Sequence, residues 1–311
     1  MSTFEHDLTK GNIWKQLVWF AVPFFISNLI QSLYSLIDLI ILGHFGGTNS
    51  ISAANIGGQV LVILTNLAAG LSGGGTVMLG NYLGSKRKDK INGAISTLLT
   101  TLTVMAAVFM VLLFILKQPL LRLLDTPEEA FSQAEQYLFI CTLGLLFIYG
   151  YNALSAIMRG LGDSRTPMIF VMIACVINII LDLVLVAGLH LGAGGAAVAT
   201  VFAQGCSMLF CIIYLKHHDF MFDFKPSSFH FIKEEFHTLL RTGLPLSIQM
   251  VGTNFSFLIL TTFINRAGGV AASAAAGIVN NFNGFAILPE AAISSAASAM
   301  IAQNMGKKDV K

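Results

Sequence analysis

The sequence matches itself when it is shifted by 222 residues. Without any gap, residues 245–311 are identical to residues 23–89 at 14 of 67 positions, spread along the whole overlap. The matched pairs include Pro23 with Pro245, Gly46 with Gly268, Gly47 with Gly269, Ala53 with Ala275, Ala54 with Ala276, Met78 with Met300, Gly84 with Gly306 and Lys86 with Lys308. A repeat of this kind predicts two similar structural units, with only the opening third of the second one present. A chain with both units would have about 440 residues.

Composition places these units in a lipid bilayer. Hydrophobic residues make up 55% of the chain, charged residues make up 11%, and the mean hydropathy is +0.75. These charges are too few to cover a soluble globule of this size. A helix needs about 20 apolar residues to cross the hydrocarbon core. Runs of that length occur at 14–42, 52–80, 92–116, 133–158, 168–189, 194–215, 243–265 and 271–302. We predict an all-α integral membrane protein, a polytopic bundle with eight helices.

The basic residues predict how the helices are oriented. With the N-terminus inside, 15 of the 18 Lys and Arg residues fall in cytoplasmic segments, whereas Lys117, Arg122 and Arg266 fall outside. Positively charged loops stay in the cytoplasm. We therefore predict a multi-pass protein of the inner (cytoplasmic) cell membrane with a cytoplasmic N-terminus. An even number of helices separates the two units, so they should be related by an axis along the membrane normal.

The repeat and the apolar runs divide the chain into three predicted parts. An N-lobe of six helices covers 1–215, a cytoplasmic linker with a short interfacial helix covers 216–242, and an incomplete C-lobe of two helices covers 243–311. All four cysteines lie inside apolar runs, which argues against a disulfide framework or a zinc site. The net charge of +2 gives no reason to expect nucleic acid as a partner. We expect a monomer that has no cofactor and is not an enzyme.

Three acidic residues lie deep within the predicted helices, namely Asp38, Asp182 and Glu290. A charged group at a helix centre costs about 2.5–3.5 kcal/mol on insertion scales, so each acid should face a partner or a cavity. The repeat does not preserve them, since Asp38 aligns with Leu260 and Glu290 aligns with Ala68. We infer that the two units share a scaffold and differ in their chemistry.

Two of these acids belong to a predicted polar pocket. Asn178 lies four residues before Asp182, so both occupy one face of the fifth helix. Thr200 and Gln204 have the same spacing on the sixth helix, and Asp38 supplies a second carboxylate from the first. Carboxylate, amide and hydroxyl groups together suit Na⁺ or a proton. The alternative is that each acid makes a structural hydrogen bond to a neighbouring helix.

Other polar residues have two open interpretations. Glu290 follows Pro289 and would face a cationic substrate if the proline opens the helix toward a cavity; otherwise it balances an absent helix. Gln31 and Tyr34 on the first helix either line a wet cavity or join helices. Pro23 is a candidate hinge in the same helix, although prolines near helix starts are often only tolerated.

The segment 159–167 is predicted to be a tight cytoplasmic loop. Its glycines permit a reversal, Thr166 would cap the next helix, and its proline suits the first turn of that helix. Its acidic residue would pair with a flanking arginine. Phosphate binding is the alternative, but the spacing differs from that of a nucleotide loop. The residues with these structural roles are Arg159, Gly160, Gly162, Asp163 and Pro167.

Several features occur together in a specific order. They are the opening Asp7-Leu8-Thr9-Lys10-Gly11, Pro23 and Asp38 in the first helix, the loop at 159–167, and the Gly-Lys segments at Gly84 and Gly306. This combination resembles the multidrug and toxic compound extrusion (MATE) family, and the likeness covers the whole chain. The resemblance implies an antiporter that exports small cationic or amphipathic compounds in exchange for H⁺ or Na⁺. Two six-helix lobes would rock around a central cavity.

The resemblance also implies site residues. It places a cation site at Asp38, Asn178, Asp182 and Thr200. It places Gln31, Tyr34 and Asn152 in regions that line the drug chamber. The chain departs from the family in length, because four of twelve helices are missing, and a lone lobe with two further helices should not form a closed transport path.

The sequence leaves three alternative functions. A lipid-linked oligosaccharide flippase would share the duplicated bundle, but its chamber should be strongly cationic, whereas the buried charges here are acidic. A membrane enzyme such as a prenyltransferase would need clustered aspartates at one membrane face, and Asp38, Asp182 and Glu290 are isolated on different helices. An inactive truncated fragment is the third alternative.

Overall fold

A computed structural model describes residues 6–218, 220, 222–225 and 228–307. Within these residues, the side chains at 258, 261, 262, 265–278 and 280–282 are not described. The repeat pairs 46–47 with 268–269 and 53–54 with 275–276, and the side chains of these later residues are therefore not described. Arg266, Lys308 and Lys311, which enter the orientation prediction, also lie outside the described side chains.

The described part of the chain is all-α, as predicted, and contains no strand. Its helices are α1 (Ile13–Ile41), α2 (Gly47–Gly84), α3 (Lys88–Leu123), α4 (Glu128–Gly160), α5 (Arg165–Asp182), α6 (Gly192–His217), α7 (Lys233–Ala286) and α8 (Leu288–Lys307). The six helices predicted for the first unit match α1 to α6. Six stretches of the described residues are long and apolar enough to cross a membrane, and the first of them, Ile13–Gly84, contains both α1 and α2.

The seventh and eighth helices differ from the prediction. The expected break near 266–270 is absent, because helical backbone continues to Ala286 and the boundary lies at Ile287. The segment is rich in alanine, the strongest helix former, which offsets its two adjacent glycines. Residues 233–242 of the predicted linker form the start of α7, and a short interfacial helix in the rest of the linker stays a prediction.

Two short π-helical segments interrupt the bundle. Leu42–Gly46 follows α1, and Leu183–Gly188 follows α5. π-Helical turns are rare and often occur at functional sites. The two segments contact each other, and Ile41 and Leu42 pack against Val186 in a small apolar cluster. This contact brings the last turns of α1 and α5 together.

The contacts between the two repeat units occur in equivalent pairs, in which each residue is replaced by the one 222 positions away. A Cβ atom on Gly84 would overlap the backbone carbonyl of Gln303. The repeat partner of Gly84 is Gly306, and a Cβ atom there would overlap the carbonyl of Asn81, the repeat partner of Gln303. The ends of α2 and α8 therefore approach each other as a pseudo-two-fold pair.

The same symmetry continues along the interface. On one side, Gly70 and Gly74 of α2 meet the α7 backbone at Ser247 and Gly243, with no room for a Cβ atom. On the other side, α8 residues at the equivalent positions pack against α1 in one buried cluster that contains Phe20, Ala21, Phe24, Ala292 and Ala296. Small residues let helix backbones approach closely in a membrane. We call these contacts between α1–α2 and α7–α8 the seam.

One buried ionic group belongs to the seam. Glu235, in the first turn of α7, has a side chain that is 4% exposed. The Tyr82 hydroxyl donates a hydrogen bond of 2.6 Å to one of its oxygens, and Lys90 Nζ lies 3.6 Å from the other. This contact ties α7 to α2 and α3.

Candidate cation-binding site

The structure brings the four predicted pocket residues together. Asp38 lies in the last turn of α1, Asn178 and Asp182 lie in the last two turns of α5, and Thr200 faces them from α6. The carboxyl groups of Asp38 and Asp182 lie close enough to interact electrostatically. Asn178 Nδ2 lies 3.4 Å from Thr200 Oγ1, a long hydrogen bond. Both acids therefore lie where an α-helix gives way to a π-helical segment.

Most oxygen atoms of this pocket have no hydrogen-bond donor among the described residues. Asp182 is 0% exposed and Asn178 is 2% exposed, whereas Asp38 and Thr200 are half-buried. Four oxygens accept no hydrogen bond from the described residues: Asp38 Oδ1, Asn178 Oδ1 and both carboxyl oxygens of Asp182. Buried polar groups normally have partners, and an unpaired buried charge is strongly unfavourable. This arrangement has the chemistry to hold a small cation or a proton.

The four residues do not form a transition-metal site. Within the described residues, three or more His, Cys, Asp or Glu side chains do not gather in any group that could hold a metal ion. The pocket offers only hard oxygen ligands, namely two carboxylates, one amide and one hydroxyl. Na⁺ remains compatible with this set.

Two tyrosines border the pocket. Tyr34, one turn before Asp38, and Tyr137 of α4 both lie close enough to interact electrostatically with the Asp38 carboxyl group. Tyr137 was not predicted; its ring packs so closely on Gly57 that a Cβ atom there would lie 2.7 Å from it. The available signal was a hydroxyl group inside an apolar run, which alone does not distinguish it from other tyrosines.

The remaining predicted cavity residues are less closely linked to the pocket. Gln31 is exposed on α1, two turns before Asp38. Asn152 is half-buried, and its amide donates to the Ile148 carbonyl of its own helix at 2.8 Å. The substrate-lining role of Gln31, Tyr34 and Asn152 stays a prediction.

Glu290 has a different location from the one expected. It is exposed and lies in the first turn of α8, so it is not near the centre of a helix. Pro289 lies in the first turn of α8, where a missing backbone donor is tolerated, and follows the break between α7 and α8 at Ile287. An acid in a first turn is favoured by the helix dipole.

The loop at 159–167 adopts a tight reversal. Gly162 has φ +96° and lies against the His6 backbone, so a side chain there would be strained and without space. The capping prediction is wrong, because Asp163 Oδ1, and not Thr166, accepts the backbone N–H groups of Arg165 and Thr166, each at 3.0 Å. Asp163 therefore serves as a backbone acceptor, and no ion pair with an arginine forms among the described residues.

The other residues of this loop support packing. Gly160 lies so close to α2 that a Cβ atom would be 2.9 Å from the Thr76 carbonyl oxygen. The Arg159 guanidinium stacks over the Phe24 ring at 4.6 Å. The Pro167 carbonyl accepts a hydrogen bond of 2.7 Å from Tyr151. Pro23 is buried inside α1, and the Ser27 hydroxyl donates to its carbonyl at 2.8 Å.

The fold and the paired acids define a multi-pass helical membrane protein that is built on a duplicated unit. The MatE family model matches residues 23–184 and 245–311. These two segments begin 222 residues apart, which is the offset at which the sequence matches itself. The chain belongs to the MatE family.

The relatives that the chain matches are longer. "Probable multidrug resistance protein YpnP" of Bacillus subtilis is 31% identical over 306 residues, which cover 97% of this chain and 67% of that protein. "Multidrug export protein MepA" of Staphylococcus aureus is 23% identical over 267 residues, which cover 84% of this chain and 58% of that protein. The chain thus spans about two thirds or less of the length of these relatives.

Solved structures share the fold. A multidrug resistance MATE family transporter of the MOP superfamily, in an outward-facing conformation, superposes with a TM-score of 0.93 at 24% identity. The match covers 100% of this chain and 69% of that chain. A MOP superfamily transporter from Pyrococcus furiosus, described as having a binding pocket of reversed polarity, superposes with a TM-score of 0.91 at 24% identity. That match also covers 100% of this chain and 69% of that one.

Proposed function

We propose that the chain supplies the ion-binding lobe of a cation-coupled antiporter that exports cationic or amphipathic drugs. The observation that carries the proposal is the proximity of Asp38 and Asp182, from two helices that pack together, with three carboxyl oxygens that have no donor among the described residues. Membership of the MatE family and relatives named as multidrug resistance and export proteins support the transport function.

The coupling ion is H⁺ or Na⁺. Two carboxylates close together repel each other, and a proton bound between them removes one negative charge and supplies the missing donor. Na⁺ neutralises the same charge and accepts the oxygens of Asn178 and Thr200 as further ligands. In both cases the ion stabilises the closed pocket, and its loss leaves uncompensated buried charge.

Alternating access couples this pocket to export. The seam joins the two units at the ends that carry Gly84 and Gly306, the predicted cytoplasmic side, and the fold matches an outward-facing transporter. Inward opening requires the seam to separate. If ion binding lowers the affinity for drug, drug binding lowers the affinity for the ion by the same factor.

The flippase alternative lacks a specific supporting observation. Its pyrophosphate substrate would need basic groups in the chamber, whereas the paired groups at the ends of α1 and α5 are acidic. The enzyme alternative has no support from relatives named as resistance and export proteins.

The proposal is tested first on the purified chain by ion binding. We expect the melting temperature of the wild type to rise when Na⁺ is added, or when the pH is lowered at a constant K⁺ concentration. Asp182→Asn should remove this response. Asp125→Asn is the matched control, because Asp125 is exposed outside the helices. An equal response in both variants would refute the pocket assignment.

Transport is tested separately in proteoliposomes with imposed proton or sodium gradients. Because a lone lobe with two further helices should not form a closed transport path, we expect no flux of ethidium from this chain alone. A gradient-driven flux that Asp182→Asn abolishes and Asp125→Asn preserves would instead show an autonomous transporter coupled at this pocket. A flux that survives Asp182→Asn would contradict coupling at this pocket. Ion binding without flux would limit the chain to the ion-binding lobe and reject an autonomous transporter.

A further inference from the structure

An open groove lies between α1 and α5, at the ends where both helices begin. Its volume is about 810 Å³. Its floor is apolar, and the side chains that form it have little protein cover: Val18 is 59% exposed, Val22 is 46% exposed and Ile169 is 49% exposed. Such a floor in a membrane protein suits an acyl chain.

The mouth of the groove is aromatic and basic. Trp14 is 75% exposed and Trp19 is 45% exposed, and the Arg165 guanidinium stacks on the Trp19 ring at 4.0 Å. Lys15 lies one turn before Trp19 on the same face of α1. Tryptophan and basic residues are enriched where a membrane protein meets the lipid headgroups.

The two cations at this mouth have no acidic partner among the described residues. Other basic side chains do, since Lys10 pairs with Asp7 and Lys117 pairs with Glu135. The acid nearest to Arg165 along the chain, Asp163, is buried and accepts backbone N–H groups at the start of α5. The mouth therefore carries two positive charges without compensation.

We propose that this groove binds an anionic phospholipid. The phosphate and the headgroup contact Lys15 and Arg165, the indole rings lie at headgroup level, and one acyl chain follows the apolar floor between the helices. Attraction of basic residues to an anionic leaflet adds to the burial of apolar surface. The lipid bridges α1 and α5, the two helices whose opposite ends carry Asp38 and Asp182. This inference does not depend on the proposed transport function.

The chain contains its own probe for this site, because Trp14 and Trp19 are its only tryptophans. The purified chain is placed in nanodiscs that contain equal mole fractions of brominated phosphatidylglycerol or brominated phosphatidylcholine. Bromine quenches a tryptophan only at close range. We expect an occupancy preference for phosphatidylglycerol of about fivefold or more, the value for one basic residue near an anionic surface, and a decrease of this preference with added salt.

Matched variants assign the preference to the groove. We expect the double variant Lys15→Gln, Arg165→Gln to quench equally with both lipids. The control is the double variant Lys117→Gln, Arg122→Gln. It removes two basic groups at the end of α3, on the predicted outer side of the membrane, and should keep the wild-type preference. Size-exclusion profiles and helical circular dichroism verify that each variant is folded.

Three results would overturn the proposal. One is equal quenching of the wild type by both lipids, which would indicate an ordinary annular contact. Another is a preference that survives in the folded double variant, which would place the anionic site elsewhere. The third is an absence of quenching by either lipid, which would mean that protein covers the groove.

Discussion

The seam and the acid pocket show opposite relations to the repeat. In the seam, contacts recur at positions 222 residues apart, so that Gly84 meets Gln303 as Gly306 meets Asn81. The pocket has no such counterpart, because Leu260 occupies the repeat position of Asp38. Backbone contact constrains both units in the same way, whereas an ion site is needed only once. Duplication has thus kept the packing surface and left the chemistry free to differ.

The largest expected effect comes from filling the seam. In Gly84→Val, the new side chain would overlap backbone atoms of Gln303, which cannot move independently of α8, so we expect a loss of stability of about 3 kcal/mol or more, at the upper end of the range for overpacking. The comparison also predicts a similar loss for Gly306→Val. Thermal unfolding in detergent measures both.

A glycine in the same helix provides the control for this prediction. A Cβ atom on Gly58 would meet no heavy atom within 4 Å, so Gly58→Val should change the unfolding temperature little. Equal effects at positions 58 and 84 would show that helix propensity, and not contact across the seam, controls the result.

A smaller effect is expected at the ionic contact of the seam. Glu235→Gln removes a buried charge that accepts from Tyr82 and lies near Lys90, and we expect a loss of about 1.5–3 kcal/mol. Glu234→Gln changes the same chemistry one residue earlier, where the side chain is 85% exposed, and should lie within about 0.5 kcal/mol of the wild type. Chemical denaturation compares the two variants. Equal losses would show that burial of Glu235 is unimportant.

The smallest effect concerns the hydroxyl group of the pocket. Thr200→Val keeps the side-chain shape and removes the hydroxyl oxygen, which accepts a long hydrogen bond from Asn178 Nδ2. We expect Na⁺ affinity to fall by a few-fold, consistent with a loss of about 0.5–1.5 kcal/mol, without any change in proton binding. Thr142→Val is the control, since its hydroxyl donates to the Leu138 carbonyl of its own helix. Calorimetric titration with Na⁺ measures the affinity of each variant. An unchanged affinity in Thr200→Val would exclude this oxygen as a ligand.

Much of the fold follows from the sequence because only helices and closed barrels can span a membrane. Apolar length determines α1 to α6, and the one-turn spacing of Asn178 and Asp182 predicts a shared face. The proximity of Asp38 and Asp182 could be stated from the sequence only as a hypothesis, since spacing within one helix does not determine which helices are neighbours. The role of these residues stays a prediction.

Other features depend on tertiary structure that local patterns do not report. The position of Glu290 at a helix start follows from the end of α7 at Ala286, because the helix continues through the expected break near 266–270. Asp163 and Thr166 are both suitable caps, and only the loop geometry selects Asp163. The groove at Trp14 and Arg165 requires knowledge that α1 and α5 are adjacent.

The central claim is that Asp38 and Asp182 hold one exchangeable ion between them. Infrared difference spectroscopy of the reconstituted chain tests it directly, because a protonated carboxyl group has its own C=O stretching band. We predict a band that disappears on alkalinisation or on addition of Na⁺ and is absent in both Asp38→Asn and Asp182→Asn. A band that is insensitive to pH and Na⁺, or that persists in both variants, would contradict the account.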